Sequence, residues 1–260
     1  MSRILVALFL LACTPAAPPT MTQTTFTRYV ALGDSISIDV YPANDVARRY
    51  PGRASTDKLG AVSLLVRNDD KLWPEFRGRD LQTSQRSLRF DEQRDDLTSD
   101  GATTQSLLRQ VERIERSDEP TLVTITAGGN DLLGHIGSPG PSPAPEIAAR
   151  LRTAVARVLE LRPNAVILIG TVYDPSDGTN RLPGYTRTLD REAEWLAEYN
   201  DLLRRFVTTD RRLRLADIHR HFLGHGLTAP ESERWYLRES IIEPSARGAS
   251  EVRRVWLEAM

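Results

Sequence analysis

The chain has 260 residues, 40% of them hydrophobic and 27% charged, which is enough apolar material for a sizeable buried core and too much for a disordered chain. Its 34 basic and 35 acidic residues leave a formal charge of −1, and the arginines are interleaved with acids, as in 231-ESERWYLRES-240, so no basic stripe invites nucleic acid. Cys13 is the one cysteine, which excludes a disulfide or a cysteine-built metal site within a single chain.

Residues 1–25 stand apart from the rest. Arg3 supplies a positive charge, and Ile4 to Ala12 form an apolar run too short to span a bilayer but suited to the core of a signal peptide. Leu10-Leu11-Ala12-Cys13 has the form of a bacterial lipobox, in which the cysteine is lipidated after cleavage. The Pro/Thr/Ala-rich stretch 14–25 then reads as a flexible tether. On this reading the protein is a lipoprotein of the cell envelope, held to the membrane through Cys13. Met21 is an alternative start, which would make the protein cytoplasmic. Residues 26–260 are expected to form one domain.

Thr27 to Gly33 is a short apolar run ending in glycine, the pattern of a buried strand. Asp34 and Ser35 follow at its C-terminal end. Residues 36–58 read as irregular, with Pro42 and Pro51 as breakers. Leu59 to Arg67 reads as a short helix, residues 68–86 as a polar loop, and Leu88 to Asp91 as a weak strand. In 98-TSDGATTQSLLRQVERIER-116 a polar turn leads into an amphipathic helix with Leu107, Leu108, Val111 and Ile114 on one stripe. Thr121 to Ala127 is the clearest strand, ending in Gly128 and Gly129. The Pro/Gly/Ser stretch 137–146 is a surface loop before a helix from Ile147 to Leu161. Asn164 to Gly170 is another buried strand, and Leu189 to Val207 a long helix. Leu213 to Ala216 is a short strand ending at Asp217, and Gly248 to Glu258 a final helix.

Strands alternating with helices predict βαβ units and a parallel sheet. Runs such as 166-VILIG-170 are apolar without alternation, as expected of strands covered on both faces. The predicted fold is an α/β three-layer αβα sandwich around a central, mainly parallel sheet. Ligands bind at the C-terminal strand ends of such sheets, and the polar turns fall there.

Gly-Asp-Ser at 33–35 is by itself compatible with a simple turn. Its context adds to it: DGAT (100–103) stands before the second helix, and GGND (128–131) follows the next strong strand. In this order the three blocks resemble those of the SGNH/GDSL hydrolase superfamily, and the resemblance covers about residues 27 to 257. It implies Ser35 as nucleophile. It also implies an oxyanion hole made of the Ser35 amide, the Gly101 amide and the side-chain amide of Asn130. That chemistry is coherent. Acyl transfer builds negative charge on a carbonyl oxygen, and preorganised neutral donors stabilise it. An asparagine amide cannot titrate away. A turn preceding a helix remains the other reading of Gly101, and a turn-stabilising side chain that of Asn130.

The last block departs from the family pattern, Asp-x-x-His-Pro before the C-terminal helix. Here 239-ESIIEPSARGASEVRRVW-256 aligns through Pro244, Gly248 and the following helix, with Glu243 at the histidine position and Ser240 at the aspartate position. A serine hydroxyl is a poor nucleophile until a base takes its proton, and histidine suits that task because its pKa lies near neutrality. A carboxylate at its reference value of about 4.3 is a weak base unless burial raises it. Either Glu243 is the base, or a histidine of 217-DIHRHFLGHG-226 supplies it. Among His219, His221 and His225, His225 stands between glycines, and Asp217 is placed to orient one of the three. The spacings of these histidines match no helical zinc pair, so no metal is expected. His135, four residues after Asp131, either lines the pocket or is a plain loop residue. Asp174 and Asp177 either contact substrate or build the 171-TVYDPSDG-178 turn. Trp73, Pro74, Phe76, Trp235 and Tyr236 either line an apolar pocket or pack the fold.

The expected function is a cofactor-free serine esterase acting on an acetyl or short acyl ester of a small molecule, glycan or lipid. The alternative, suggested by the missing histidine, is a non-catalytic ligand-binding protein on the same scaffold.

Overall fold

The computed structural model describes residues 25–260. The expected signal peptide, the lipobox with Cys13 and the alternative start at Met21 lie outside them. Strands β1 (Arg28–Gly33), β2 (Thr121–Thr126), β3 (Ala165–Gly170) and β4 (Leu213–Ala216) form one sheet in the order β1-β2-β3-β4. Every pairing is parallel. The helices are α1 (Val40–Arg49), α2 (Ala61–Val66), α3 (Leu81–Ser84), α4 (Glu92–Asp95) and α5 (Thr104–Val111) before β2. After it come α6 (Gly129–Gly134), α7 (Ala144–Leu161), α8 (Asp190–Phe206), α9 (Ile218–Phe222) and α10 (Ala246–Ala259). No helix among the described residues is long and apolar enough to cross a membrane.

The expected three layers are present. Alternate strand residues point to opposite faces, and both faces are buried. Val30, Leu32, Val123 and Ile125 pack against Leu107 of α5, Leu151 of α7 and Tyr199 of α8. Tyr29, Ala31, Leu122 and Leu168 pack against Leu65 of α2, Phe222 of α9 and Trp256 of α10. This two-sided burial is why the strands read as unbroken apolar runs.

Several local expectations are corrected. Residues 36–58 are not wholly irregular, because Val40–Arg49 is helical. Pro42 is tolerated there because it sits in the first turn, where amides have no partner within the helix. Residues 68–86 contain a 3-10 turn, Pro74–Phe76, and the short α3, capped by Asp80 accepting from the Thr83 amide at 2.9 Å. The weak strand at 88–91 is reduced to one isolated parallel bridge, Arg28 to Arg89, on the outer edge of β1, and a second bridge, Ala31 to Asp96, follows beyond α4.

Helix α10 is fastened to its neighbours by two unusual groups. Arg253 is fully buried and has no carboxylate partner among the described residues; it donates to Asn68 Oδ1 at 2.8 Å and Ser250 Oγ at 2.6 Å. Its guanidinium lies 3.5 Å from the centroid of the Phe76 ring, which is the role Phe76 takes instead of lining a pocket. Burial pulls the Arg253 pKa down to about 9. Gly248, in the first turn of α10, faces the backbone of Trp235: a Cβ there would come 2.1 Å from the Trp235 carbonyl oxygen. A glycine-to-alanine change within a helix ordinarily stabilises by up to about 1 kcal/mol. Here the clash is with backbone, and overpacking of this kind costs roughly 1–3 kcal/mol. Gly248→Ala is therefore expected to lower the urea midpoint, and an unchanged or raised midpoint would contradict the packing described.

Candidate active site

The polar groups at the C-terminal sheet edge are held by a network that starts at Gly33. The Gly33 amide donates to Gln110 Oε1 at 2.8 Å, and Gln110 Nε2 donates back to the Gly33 carbonyl at 2.9 Å. The turn that follows is tied to β2, where the Asp34 amide donates to the Thr126 carbonyl at 3.1 Å and Ser37 Oγ bonds Thr126 Oγ1 at 2.8 Å. Within the turn, Asp34 Oδ1 accepts from the Ile36 amide at 3.2 Å. Ser35 is thus presented on a fixed turn, 5% exposed, lining a pocket.

Gly101 and Asn130 come to the same edge. Gly101 has φ +67°, a conformation that side chains with a Cβ rarely adopt, which accounts for glycine at this position. The amides of Ser35 and Gly101 donate to no backbone carbonyl among the described residues. Asn130 lies in the first turn of α6, and its Nδ2 donates to the Ala102 carbonyl at 3.0 Å. One of its two amide hydrogens is used in this way, and the other is left for a ligand. The spacing between the two loops is set by Asp131. Its carboxylate accepts from the Thr104 amide and the Thr104 hydroxyl, both at 2.7 Å, and from Arg150 Nη2 at 3.0 Å. Sequence reasoning left Asp131 without a role, although it is the last letter of GGND.

Glu243 is 5% exposed and sits in the loop before α10. The loop is pinned on both sides of it: Tyr173 donates to the Ile242 carbonyl at 2.5 Å, and the Ala246 amide donates to Asp45 Oδ2 at 3.0 Å. Burial pushes the Glu243 carboxyl up to about 7; the neighbouring Ser35 hydroxyl acts in the other direction, and the Asp100 charge adds to the rise. Glu243 Oε2 has no hydrogen-bond partner among the described residues, and the Ser35 hydroxyl is the polar side chain beside the carboxylate. Asp34 is also pushed up to about 7, chiefly by burial, with hydrogen bonds to its charged form opposing and the Glu243 charge adding. Asp34 and Tyr173 are site residues that sequence reasoning passed over. Asp34 was in view inside the GDS block, whereas nothing local marked Tyr173.

The histidines are placed elsewhere. None lines the pocket that holds Ser35. His225 bonds the Glu233 carbonyl at 2.7 Å and stacks on Trp235 with ring centroids 3.6 Å apart. His221 bonds the buried carboxylate of Glu251 at 2.8 Å, and His135 bonds the Asp131 carbonyl at 2.8 Å. His219 is held below its usual pKa by burial and by Arg204. Asp217 orients none of them by a side-chain bond; it caps α9 and accepts from Thr171 Oγ1 at 3.0 Å and from Arg204. Asp174 accepts from the amides of Ser176 and Gly178, both at 2.8 Å, and Asp177 from those of Gly224 and Gly226. Both acids therefore build turns, and Asp174 also lines the pocket that holds Ser35. Trp73, Pro74, Trp235 and Tyr236 do not line the Ser35 pocket. No group of three or more metal-ligating side chains is assembled among the described residues.

Comparison with known proteins agrees with this architecture. The family model of the GDSL-like lipase/acylhydrolase family matches residues 31–249. An extracellular lipase from Streptomyces rimosus is similar in structure, with a TM-score of 0.57 at 20% identity, over 90% of this chain and 100% of that one. An α/β hydrolase from the metagenome of Lake Arreo, Spain, superimposes with a TM-score of 0.60 at 19% identity, over 92% of this chain and 97% of that one. A variant of the acetyl xylan esterase Axe2 from Geobacillus stearothermophilus gives 0.58 at 16% identity, over 90% and 94%. No curated protein matches the sequence. With most of its length matched by the family model, the chain belongs to the GDSL-like lipase/acylhydrolase family.

Proposed function

We propose that the protein is a serine esterase in which Glu243 takes the place of the usual histidine. The observation that carries this reading is the buried carboxylate of Glu243 beside the Ser35 hydroxyl, pushed up to about 7. A group with that pKa is as well matched to neutral pH as an imidazole.

The steps follow from the placement of the groups. Glu243 takes the proton of the Ser35 hydroxyl as Oγ attacks the ester carbonyl. The oxyanion lies against the Ser35 and Gly101 amides and Asn130 Nδ2. Glu243, now a carboxylic acid, gives its proton to the leaving alcohol oxygen, and the C–O bond breaks to leave Ser35 acylated. Water then attacks the acyl carbon while Glu243 accepts its proton and returns it to Oγ, releasing the carboxylic acid. Every donor to the oxyanion is neutral, so the charge of Glu243 is the one being moved.

A fluorophosphonate probe read by intact mass tests the nucleophile directly. One adduct is expected on wild type and none on Ser35→Ala. The labelling rate is expected to rise through about pH 7, where Glu243 loses its proton. Glu243→Gln should lower kcat/KM by about 10²–10⁴, the usual contribution of a general base. A folded wild type that takes no label at neutral or alkaline pH would instead fit the ligand-binding alternative.

Asn130→Ala is expected to cut kcat by about 10²–10³, as loss of one oxyanion donor does elsewhere. A change confined to KM would remove Asn130 from that role.

The same carboxylate leaves a stability signature. Its folded pKa is raised, so its contribution is fully present below about pH 4.5 and is lost as pH rises through about 7. Glu243→Gln should therefore gain stability relative to wild type as pH rises across this window, measured by urea unfolding. A difference that stays constant with pH would mean that Glu243 is not buried as a charge.

A further inference from the structure

Gly101 is held by little of its own. It has no side chain, and a Cβ built on it would meet nothing within 4 Å, so no packing fixes it. The backbone on either side is anchored: the Ser99 amide donates to the Gly33 carbonyl at 3.0 Å, and the Ala102 carbonyl accepts from Asn130 Nδ2. Between these anchors stand Asp100 and Gly101, both exposed. Among the described residues, the one side chain that hydrogen-bonds this stretch is Tyr41, whose hydroxyl donates to Asp100 Oδ2 at 2.9 Å. The Gly101 amide belongs to the peptide link between Asp100 and Gly101, so a restraint on Asp100 acts on the direction of that amide.

Tyr41 lies in the first turn of α1, and α1 is tied to the other parts of the site. Residues 36–39 lead to it directly from Ser35, and the Ile38 amide donates to the Ser35 carbonyl at 3.4 Å. Its start is fixed by Asp39, whose Oδ1 accepts from the Gly60 amide at 2.7 Å. Farther along, the buried Asp45 accepts from the amide of Ala246, just past Glu243, and Arg48 pairs with Glu239 at 3.1 Å. Tyr41, Asp45 and Arg48 follow the i, i+4, i+7 spacing of one helix face. That face meets both the loop that carries Gly101 and the loop that carries Glu243. The electrostatics agree. Tyr41 is pushed up to about 12, by burial first, then by its bond to Asp100 and by the charge of Glu243, so its hydroxyl stays a donor across the neutral range.

We propose that Tyr41 is a positioning residue for the Gly101 amide: through Asp100 it sets the direction of that amide from the same helix that braces Ser35 and Glu243. This role rests on the reading of Gly101 as an oxyanion donor. Inactivation by a fluorophosphonate tests it, because the phosphonyl oxygen of the probe meets the same donors. On the alkaline side of the Glu243 titration, Tyr41→Phe should lower the maximal inactivation rate about twofold to tenfold, the net worth of one hydrogen bond, and leave the half-saturating probe concentration unchanged. Asp100→Ala should do the same, and the double variant should be no slower than either single one. Asp100→Asn keeps an acceptor for the Tyr41 hydroxyl and should hold the wild-type rate. A purely structural role for Tyr41 would lower the urea midpoint and leave these rates alone. An unchanged rate in Tyr41→Phe, a loss carried by half-saturation alone, or an Asp100→Asn as slow as Asp100→Ala overturns the assignment and leaves the esterase reading standing. The orientation is also read without chemistry. The 15N order parameter of the Gly101 amide should lie near about 0.85 in wild type and fall toward about 0.6 in Tyr41→Phe and Asp100→Ala. If wild type takes no label at any pH, the esterase reading fails and this measurement decides: a fall upholds Tyr41 as the brace of that amide, and an unchanged order parameter overturns it.

Discussion

Parallel pairing makes all four strands end on one side of the sheet, so the loops that leave them meet there. Ser35 leaves β1, Asn130 follows β2 and Tyr173 follows β3, within a few residues of each strand end. The network that holds these loops is local and dense: Gln110 grips Gly33, and Asp131 grips the start of α5. Short bonds to rigid elements keep the polar groups in place before any ligand arrives. Preorganisation of this kind makes neutral donors effective in a site shielded from water.

In the proposed mechanism an acid stands where an imidazole is usual in the family, and burial is the physical quantity on which that proposal rests. An exposed glutamate titrates near 4.3 and is a poor acceptor for a hydroxyl proton. Removal of water raises the cost of its charge, so the carboxylate takes a proton more readily. The same removal makes the charged form unfavourable to the fold at neutral pH, so the proposed role and stability are opposed at this residue. Tyr173 and Asp45 pin the loop on either side of this carboxylate.

The strands were readable because two-sided burial writes itself into sequence as unbroken apolar runs. The long helices were readable from their stripes. Boundaries and short elements were harder. Pro42 looks like a breaker, yet it is harmless in the first turn of α1, and composition does not reveal which turn a proline occupies. Residues 88–91 have strand composition but only one isolated bridge to β1, a matter of backbone pairing that lies outside the segment. The block order pointed to Ser35, Gly101 and Asn130, because glycine and small polar residues at strand ends leave a local mark. The histidines had no such mark, since whether an imidazole meets a carbonyl, a carboxylate or a tryptophan ring depends on residues distant in the chain.

The sequence by itself determined the class of the fold, the order of its elements, the family blocks and the position of the exchanged histidine. These depend on periodicity and on residues close together in the chain. Only the tertiary structure decided that His225 is occupied by Glu233 and Trp235, that Glu243 is buried beside Ser35, and that an apolar pocket opens between α6 and α8. Each of these depends on desolvation and on contacts between segments far apart in sequence, and a side chain's neighbours through space, rather than along the chain, fix both.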